Sequence, residues 1–133
     1  MVNVGIIGYS KQNFDKNKAR ENINLIYDDL QSQYSTVTIV SGYTNLGIPK
    51  IAYEEAEKRD WRTVGIACEK AKEYEVYSVD KSIIIGEEWG DESDTFLDYI
   101  HILVKIGGGE QSDKEIEHAK RKNIPIYKDI SNI

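Results

Sequence analysis

The sequence predicts an α/β fold in which a mostly parallel sheet has helices on both faces. Short runs rich in valine and isoleucine alternate with amphipathic stretches at nearly constant intervals, which is typical of repeated β–α units. These runs are almost continuously apolar, as expected for strands that are buried on both sides. With 133 residues and no linker, repeat or low-complexity segment, the chain is expected to form one domain over residues 1–133.

The apolar runs and the stretches between them predict the elements in chain order. Strands are predicted at Val2–Ile7, Thr36–Val40, Thr63–Ala67, Lys81–Ile85, Ile102–Ile106 and Ile124–Tyr127. Apolar residues at helical spacing, or a first-turn proline, predict helices at Ala19–Leu30 and Pro49–Arg59, and a short helix is expected at Glu92–Tyr99. The stretch Cys68–Tyr77 fits either a helix or an irregular crossover.

A fourth helix is predicted near the end of the chain. Ser112 and Glu115 stand in the S-x-x-E pattern of a capping box, in which the serine caps the helix and the glutamate bonds back to the cap. Ile116 and Ala119 follow at helical spacing. This pattern predicts that the helix begins at Ser112.

Composition limits the function. The net charge of -6 disfavours binding to a nucleic acid polymer, which requires a basic face. No apolar stretch is long enough to span a membrane, and the first residues resemble a strand rather than a basic leader, so a cytoplasmic protein is expected. The single Cys68 has no partner for an internal disulfide, zinc-ligand spacing is absent, and no metal or cofactor is predicted.

The placement of the glycines points to the edge of the sheet where the strands end. Of the ten glycines, eight fall in the loops just after a predicted strand, so they gather at the carboxyl ends of the strands. Loops at that edge form the ligand crevice of open α/β sheets, and glycine lets backbone amides approach a ligand closely. The helices that follow direct unpaired amides at the same crevice, where phosphate is the expected ligand.

Three loops carry this pattern, namely Gly8–Ser10, Ser41–Gly47 and Gly107–Ser112. The second and third are predicted to bind phosphate through Gly42, Thr44, Gly47, Gly108, Gly109, Gln111 and Ser112. Gly8 and Ser10 of the first loop are expected to line the remaining wall. The alternative is that these glycines serve turn geometry only, which a turn between a strand and a helix often requires.

Aromatic and acidic side chains add candidates in neighbouring loops. Tyr9, Tyr43 and Trp89 can stack on a base, or they close the crevice or cover subunit contacts. An acidic segment follows the fourth strand, where the order of the sheet is expected to reverse, and it contains Glu87, Glu88, Asp91, Glu92 and Asp94. Asp91 and Glu92 are the candidates for catalysis, against the alternative that these charges form a solvated surface.

These residues together resemble the SLOG superfamily, which includes the Lonely Guy phosphoribohydrolases and the lysine decarboxylase-like proteins. The resemblance extends from Val2 to Tyr127 and rests on Gly8–Ser10, on the turn Gly42–Gly47, and on Gly108–Glu115 in the place of the late GGxGTxxE motif. It implies a Rossmann-like three-layer sandwich with the strand order 3-2-1-4-5, and a homodimer.

The resemblance implies two kinds of function. Members bind nucleotides or sugar phosphates, and some cleave the N-glycosidic bond of nucleoside monophosphates, for which Glu115 would act as acid or base. Those hydrolases pair the glutamate with an arginine on the preceding helix, and Glu92–Tyr99 contains none. Binding of a phosphorylated nucleotide or a nucleotide-derived small molecule is therefore the leading hypothesis. The alternatives are a phosphoribohydrolase or deoxyribosyltransferase-like enzyme, and a sensor or scaffold with a vestigial crevice.

Overall fold

A computed structural model describes residues 1–10 and 13–131. Within these residues the strands are β1 (Val2–Gly8), β2 (Val37–Ser41), β3 (Arg62–Ala67), β4 (Lys81–Ile84), β5 (Ile102–Ile106) and β6 (Ile126–Ile130). The helices are α1 (Lys16–Gln33), α2 (Gly47–Lys58), α3 (Ser93–Tyr99) and α4 (Glu110–Arg121). The ambiguous stretch after β3 contains a single short 3-10 turn, Glu69–Glu73.

The strands form one sheet in the order β4-β3-β2-β1-β5-β6, and every neighbouring pair is parallel. The predicted α/β fold with a mostly parallel sheet is therefore confirmed. The chain places β2, β3 and β4 on one side of β1 and then crosses to β5 and β6 on the other side. This reversal makes the carboxyl ends of β1 and β5 neighbours, which is where open α/β sheets bind their ligands.

The strand order implied by the resemblance is wrong for the fourth strand. The order 3-2-1-4-5 placed that strand beside β1, whereas β4 lies at the outer edge beside β3 and β5 takes the central place. Burial explains the difference, because β4 is four residues long and partly exposed, while β5 is almost completely buried. The acidic segment therefore leaves an edge strand and not the point where the order reverses.

Two helical layers cover the sheet, one on each face. Buried residues of α1 and α2 pack on one face with Val4, Ile6 and Ile39, and residues of α3 and α4 pack on the other face with Val64 and Leu103. This arrangement confirms the three-layer sandwich. None of the helices in the described part of the chain is both long and apolar enough to cross a membrane.

Helix α1 is stabilised by a capping side chain at its start and by a buried apolar stripe along its length. The Asp15 carboxylate accepts a hydrogen bond from the Lys18 amide at 3.0 Å, and such a cap contributes about 1 kcal/mol. The apolar stripe predicted over Ala19–Leu30 is buried against the sheet and α2. The helix begins several residues after β1 ends.

The last strand begins later than predicted. The sequence placed it at Ile124–Tyr127, but Asn123 adopts a φ of 61° in a turn, and the Pro125 carbonyl accepts from the Leu103 amide before β6 begins. Strand β6 lies at the sheet edge, where polar residues are tolerated, so its half-polar sequence carried a weak strand signal.

Candidate functional site

Two adjoining cavities open at the carboxyl ends of the strands. The first, here called the glycine cavity, has a volume of about 520 Å³ and is lined by Gly8, Gly42, Gly108 and Gly109 among others. The second, here called the aromatic cavity, has a volume of about 490 Å³ and is lined by Tyr43, Tyr74, Trp89, Phe96 and Glu92 among others. Ile7, Ser10, Gly42, Pro49, Gln111 and Glu115 line both. The predicted loops therefore meet at one edge of the sheet.

The start of α4 offers unused hydrogen-bond donors to the glycine cavity. Gly107 and Gly108 adopt φ values of 66° and 98°, which turns the chain sharply from β5 into a helix that begins at Glu110. Among the described residues, none accepts a hydrogen bond from the amides between Gly109 and Ser112. A side chain at Gly109 would meet no atom within 4 Å, and the residues from Gly108 to Ser112 all line the glycine cavity.

The predicted capping box is wrong. Helix α4 begins at Glu110 with Gly109 as its cap residue, and no side chain caps it. Ser112 is the third helical residue, is buried, and occupies the space where a side chain at Gly108 would lie. The positive φ of Gly108 allowed the helix to start earlier than the serine signal indicated. Glu115 consequently lies too far along the helix to bond back to the cap.

Glu115 instead faces the junction of the two cavities. It is half-buried, and Gln111 Nε2 donates a hydrogen bond to its Oε1 at 3.5 Å. The pKa of Glu115 is raised to about 7, chiefly by burial; the bond from Gln111 opposes this rise and the negative charge of Glu92 adds to it. At neutral pH both protonation states are populated, so this carboxyl can give or take a proton.

The first-turn amides of α2 are not available to a ligand. The Ile48 amide donates to the Tyr9 carbonyl at 2.7 Å, and Pro49 has no amide hydrogen to offer. Gly47 has a φ of 60° and packs against the backbone of Tyr9 and Ser10. It lines neither cavity. The structure thus gives the predicted phosphate residue Gly47 a packing role.

The rest of the second loop is bound to the segment that follows the 3-10 turn. The Asn45 amide donates to the Glu75 carbonyl at 2.9 Å, and Thr44 forms an antiparallel bridge with Val76. Thr44 and Tyr43 line the aromatic cavity and not the glycine cavity. Of the predicted phosphate residues in this loop, Gly42 alone lines the glycine cavity.

The first loop closes the gap between β1 and β5. A side chain at Gly8 would overlap the Ile106 carbonyl, so glycine permits the two strands to approach. The Tyr9 ring stacks on Phe14, with 5.1 Å between ring centroids, and also packs against Gly107. One face of the Tyr9 ring is therefore covered by the protein, although Tyr9 and Ser10 line the glycine cavity. Lys11 and Gln12, which follow, lie outside the described residues.

The two acidic candidates are placed differently. Asp91 accepts hydrogen bonds from the amides of Glu87 and Glu88, both at 3.0 Å, which closes the loop after β4. It lines neither cavity. Glu92 lines the aromatic cavity together with Glu115. The structure therefore brings Glu92 and Glu115 together and leaves Asp91 outside.

Comparison with known proteins supplies the fold relationship. No protein-family model and no curated protein matches the sequence. Among solved structures, the molybdenum cofactor carrier protein of Chlamydomonas reinhardtii superposes with a TM-score of 0.76 at 19% identity, covering 94% of this chain and 74% of that one. TM1055, a structural genomics target, superposes with a TM-score of 0.77 at 19% identity, covering 95% of this chain and 72% of that one. A second structure of the Chlamydomonas carrier gives 0.76 at 18% identity, over 98% and 76%.

The chain shares the Rossmann-like α/β fold of these structures. The resemblance drawn from the glycine loops is thus confirmed at the level of the fold. Identities below one fifth relate the folds and do not transfer a ligand or a reaction.

The sequence analysis missed part of the lining of the two cavities. Asn13 lines the glycine cavity, and Tyr74 and Phe96 line the aromatic cavity. Tyr74 lay in the ambiguous stretch, and its place depends on how that stretch crosses from β3 to β4, which no local pattern indicates. Among residues 1–10 and 13–131, no lysine or arginine lines either cavity. Backbone amides and uncharged side chains, such as those of Ser10, Asn13 and Gln111, are therefore the donors that these residues offer to an anion.

Proposed function

We propose that the protein binds a phosphorylated nucleotide or nucleotide-derived small molecule at the start of α4. The observation that carries this proposal is the run of unused amides from Gly109 to Ser112, which faces an open cavity beside the reversal of strand order. Such a helix start favours anions through its free donors and its dipole. The carrier function printed for the Chlamydomonas neighbours agrees with small-molecule binding but does not identify the ligand.

The cavity volumes are compatible with a ligand of this size. Each cavity lies within the range of about 300 to 1,000 Å³ that small-molecule sites span. The shared residues Ser10, Gln111 and Glu115 join the two volumes. A ligand with an anionic group and a second, apolar part therefore fits both at once.

Proline at position 110 tests the amide donors directly. Glu110 is the first helical residue, where proline is well tolerated and removes only an amide that the helix does not use. Loss of a hydrogen bond to a charged group costs about 1.5 to 3 kcal/mol, so Glu110→Pro is expected to weaken ribose 5-phosphate binding about tenfold or more in calorimetry.

Glu110→Ala is the matched control, because it removes the same negative charge and keeps the amide. It is expected to bind ribose 5-phosphate at least as tightly as the unmodified protein. Equal affinities for the proline and alanine variants contradict a role for this amide. No heat from ribose 5-phosphate, mononucleotides, NAD or ADP-ribose contradicts the proposal as a whole.

Glu115 favours a second candidate, an N-glycosidic hydrolase. With a pKa of about 7, this carboxyl is matched to proton transfer at neutral pH. In such a reaction the base leaves with the electron pair of the glycosidic bond and a proton from Glu115, and water adds to C1′ and returns a proton. Release of base from nucleoside monophosphates, lost in Glu115→Gln with binding retained, supports the enzyme. Binding without release supports ligand binding alone.

The homodimer and the cytoplasmic location remain predictions. The first rests on the resemblance and the second on composition. Sedimentation analysis at several protein concentrations tests the dimer, for which a mass near twice 15.2 kDa is expected. A single species at the monomer mass contradicts it.

A further inference from the structure

A third cavity lies at the opposite edge of the sheet, where β1, β2 and β3 begin. It has a volume of about 700 Å³, within the range of small-molecule sites, and is here called the amino-edge cavity. Its lining includes Asn3, Thr38, Trp61, Arg62 and Tyr99. None of these residues lines the glycine cavity or the aromatic cavity. The amino-edge cavity is therefore separate from the site at the start of α4.

Three polar residues form a row across the first residues of these strands. In the register of the sheet Asn3 is paired with Thr38, and Thr38 with Arg62, so the three side chains project from one face. Two residues further along that face, Val40 and Val64 are buried in the core. Strands of a parallel sheet that is covered on both faces are usually apolar throughout. The row is therefore a polar interruption of an apolar sheet.

The Thr38 hydroxyl is the group of this row that lacks a partner. Thr38 is 7% exposed, and its hydroxyl forms no hydrogen bond with the described residues. Burying a hydroxyl without a partner is unfavourable. In the described part of the chain, Asn45 Oδ1 is the one completely buried side-chain atom without a partner, so the Thr38 hydroxyl is still reached from the cavity that it lines.

Arg62 supplies a positive charge beside this hydroxyl. Among residues 1–10 and 13–131, no carboxylate forms an ion pair with it. Arg59 lines the cavity as well, but its guanidinium donates to Gln31 at 2.7 Å and to Asp28 at 2.8 Å. The exposed guanidinium of Arg62 thus keeps its N–H donors, whose fixed fork matches the oxygens of a carboxylate or a phosphate.

From this geometry we propose that the amino-edge cavity binds a small organic anion, whose carboxylate or phosphate group pairs with Arg62 and accepts a hydrogen bond from the Thr38 hydroxyl. Asn3 completes the row. Its Nδ2 donates one hydrogen to the Tyr99 carbonyl at 3.0 Å, which leaves the second hydrogen for the ligand. This anion site is independent of the proposed function, because the two sites lie at opposite edges of the sheet.

The emission of Trp61 reports on this cavity. Trp89→Phe leaves Trp61 as the remaining tryptophan of the chain, and Trp61 lines the amino-edge cavity. Inorganic phosphate and succinate are titrated into this variant at constant ionic strength. At least one of them is expected to change the Trp61 emission saturably, and the tighter of the two identifies the anionic group. No saturable change with either anion at millimolar concentrations overturns the proposal.

Substitutions in the row test the two donors. Arg62→Gln is expected to weaken the tighter anion about tenfold or more, because hydrogen bonds to charged groups are among the stronger ones. Thr38→Val keeps the shape of the side chain and is expected to weaken it severalfold. The control is Arg121→Gln, which removes an exposed arginine that lines none of the three cavities and is expected to keep the affinity. Equal affinities for Arg62→Gln and Arg121→Gln, or full affinity in Thr38→Val, overturn the proposal.

Asp60 tests the sign of the ligand charge. It lines the same cavity, where its carboxylate opposes an anion. Its φ of 58° is one that asparagine also tolerates, so Asp60→Asn is expected to fold and to bind the anion more tightly. Weaker binding in this variant overturns the proposal. Circular dichroism of each variant confirms that a lost signal does not come from unfolding.

Glu110→Pro separates this site from the start of α4. This variant is expected to leave the Trp61 titration unchanged, because Glu110 lines the glycine cavity and not the amino-edge cavity. A loss of the Trp61 response in Glu110→Pro overturns the assignment to the amino-edge cavity. Ribose 5-phosphate binding that survives Arg62→Gln leaves the proposed function intact even where the second site fails.

Discussion

The starts of α2 and α4 look alike in sequence and differ in the structure. Each follows a buried strand through a glycine-rich turn. At α2 the Tyr9 carbonyl occupies the Ile48 amide, and the turn is bound to the segment around Glu75. At α4 the first-turn amides remain without an acceptor among the described residues. Glycine after a strand therefore marks a turn, and the neighbouring backbone decides whether the helix start is left open to an anion.

Alanine at Gly47 and at Gly109 gives the largest contrast between the two starts. Gly47→Ala forces alanine to a φ of 60° and against the Tyr9 carbonyl, so we expect the free energy of unfolding to fall by about 3 kcal/mol or more. At Gly109 the φ is -118° and the space is open. Gly109→Ala is therefore expected to change the free energy of unfolding by less than about 0.5 kcal/mol. Urea unfolding measures both.

The same pair of variants contrasts in ligand binding. Gly109→Ala places a methyl group in the glycine cavity and is expected to weaken ribose 5-phosphate binding while the fold is kept. Equal loss of stability at both positions contradicts the view that one glycine packs and the other faces a ligand.

Glu115 makes the stability of the α4 start depend on pH. The folded protein raises this pKa from 4.5 to about 7, so folding favours the protonated form. The contribution to stability is therefore most favourable below pH 4.5 and is lost as the pH rises through 7. Above pH 8 the ionised carboxylate costs up to about 3 kcal/mol. Glu115→Gln is expected to remove this cost.

Thermal or urea unfolding of Glu115→Gln between pH 4 and pH 8 measures the effect. The variant is expected to be more stable than the unmodified protein at pH 8 and equally stable at pH 4. Glu117→Gln, at an exposed position of the same helix, is the control and is expected to show no such dependence. A pH-independent difference for Glu115→Gln contradicts the assigned cause.

A substitution at Thr44 is expected to have the smallest effect on ligand affinity. The second loop was predicted to bind phosphate through this hydroxyl, but Thr44 bridges to Val76 and does not line the glycine cavity. Thr44→Val keeps the shape of the side chain, so ribose 5-phosphate affinity is expected to change less than about twofold, or 0.4 kcal/mol. A tenfold loss in calorimetry restores the second loop as part of the phosphate site.

Local patterns predicted the elements because burial and period act over a few residues. The apolar runs of β1, β3 and β5 and the stripe of α1 appear in the structure within a residue or a few of their predicted bounds. The place of β4 at the edge was not predictable in this way, since the order of strands depends on crossovers. The start of α4 was misplaced because Ser112 and Glu115 fit a capping box in one register while Gly108 permitted another.

The residues of the candidate site fall into the same two groups, those that a local pattern predicts and those that only long-range contacts place. Gly108, Gly109 and Gln111 were predicted from sequence and line the glycine cavity, because strand-to-helix turns carry a local glycine pattern. The closure of α2 by the Tyr9 carbonyl was not predictable, since that contact joins loops 39 residues apart in sequence. The raised pKa of Glu115 likewise arises from burial, which sequence alone does not give.

Tyr9 holds both helix starts with different atoms. Its carbonyl accepts from the amide of Ile48, and its ring packs against Gly107 in the turn that leads to α4. Because the first loop is fixed at two points, it has little conformational freedom to lose on ligand binding. Binding at the proposed anion site therefore carries a low entropic penalty.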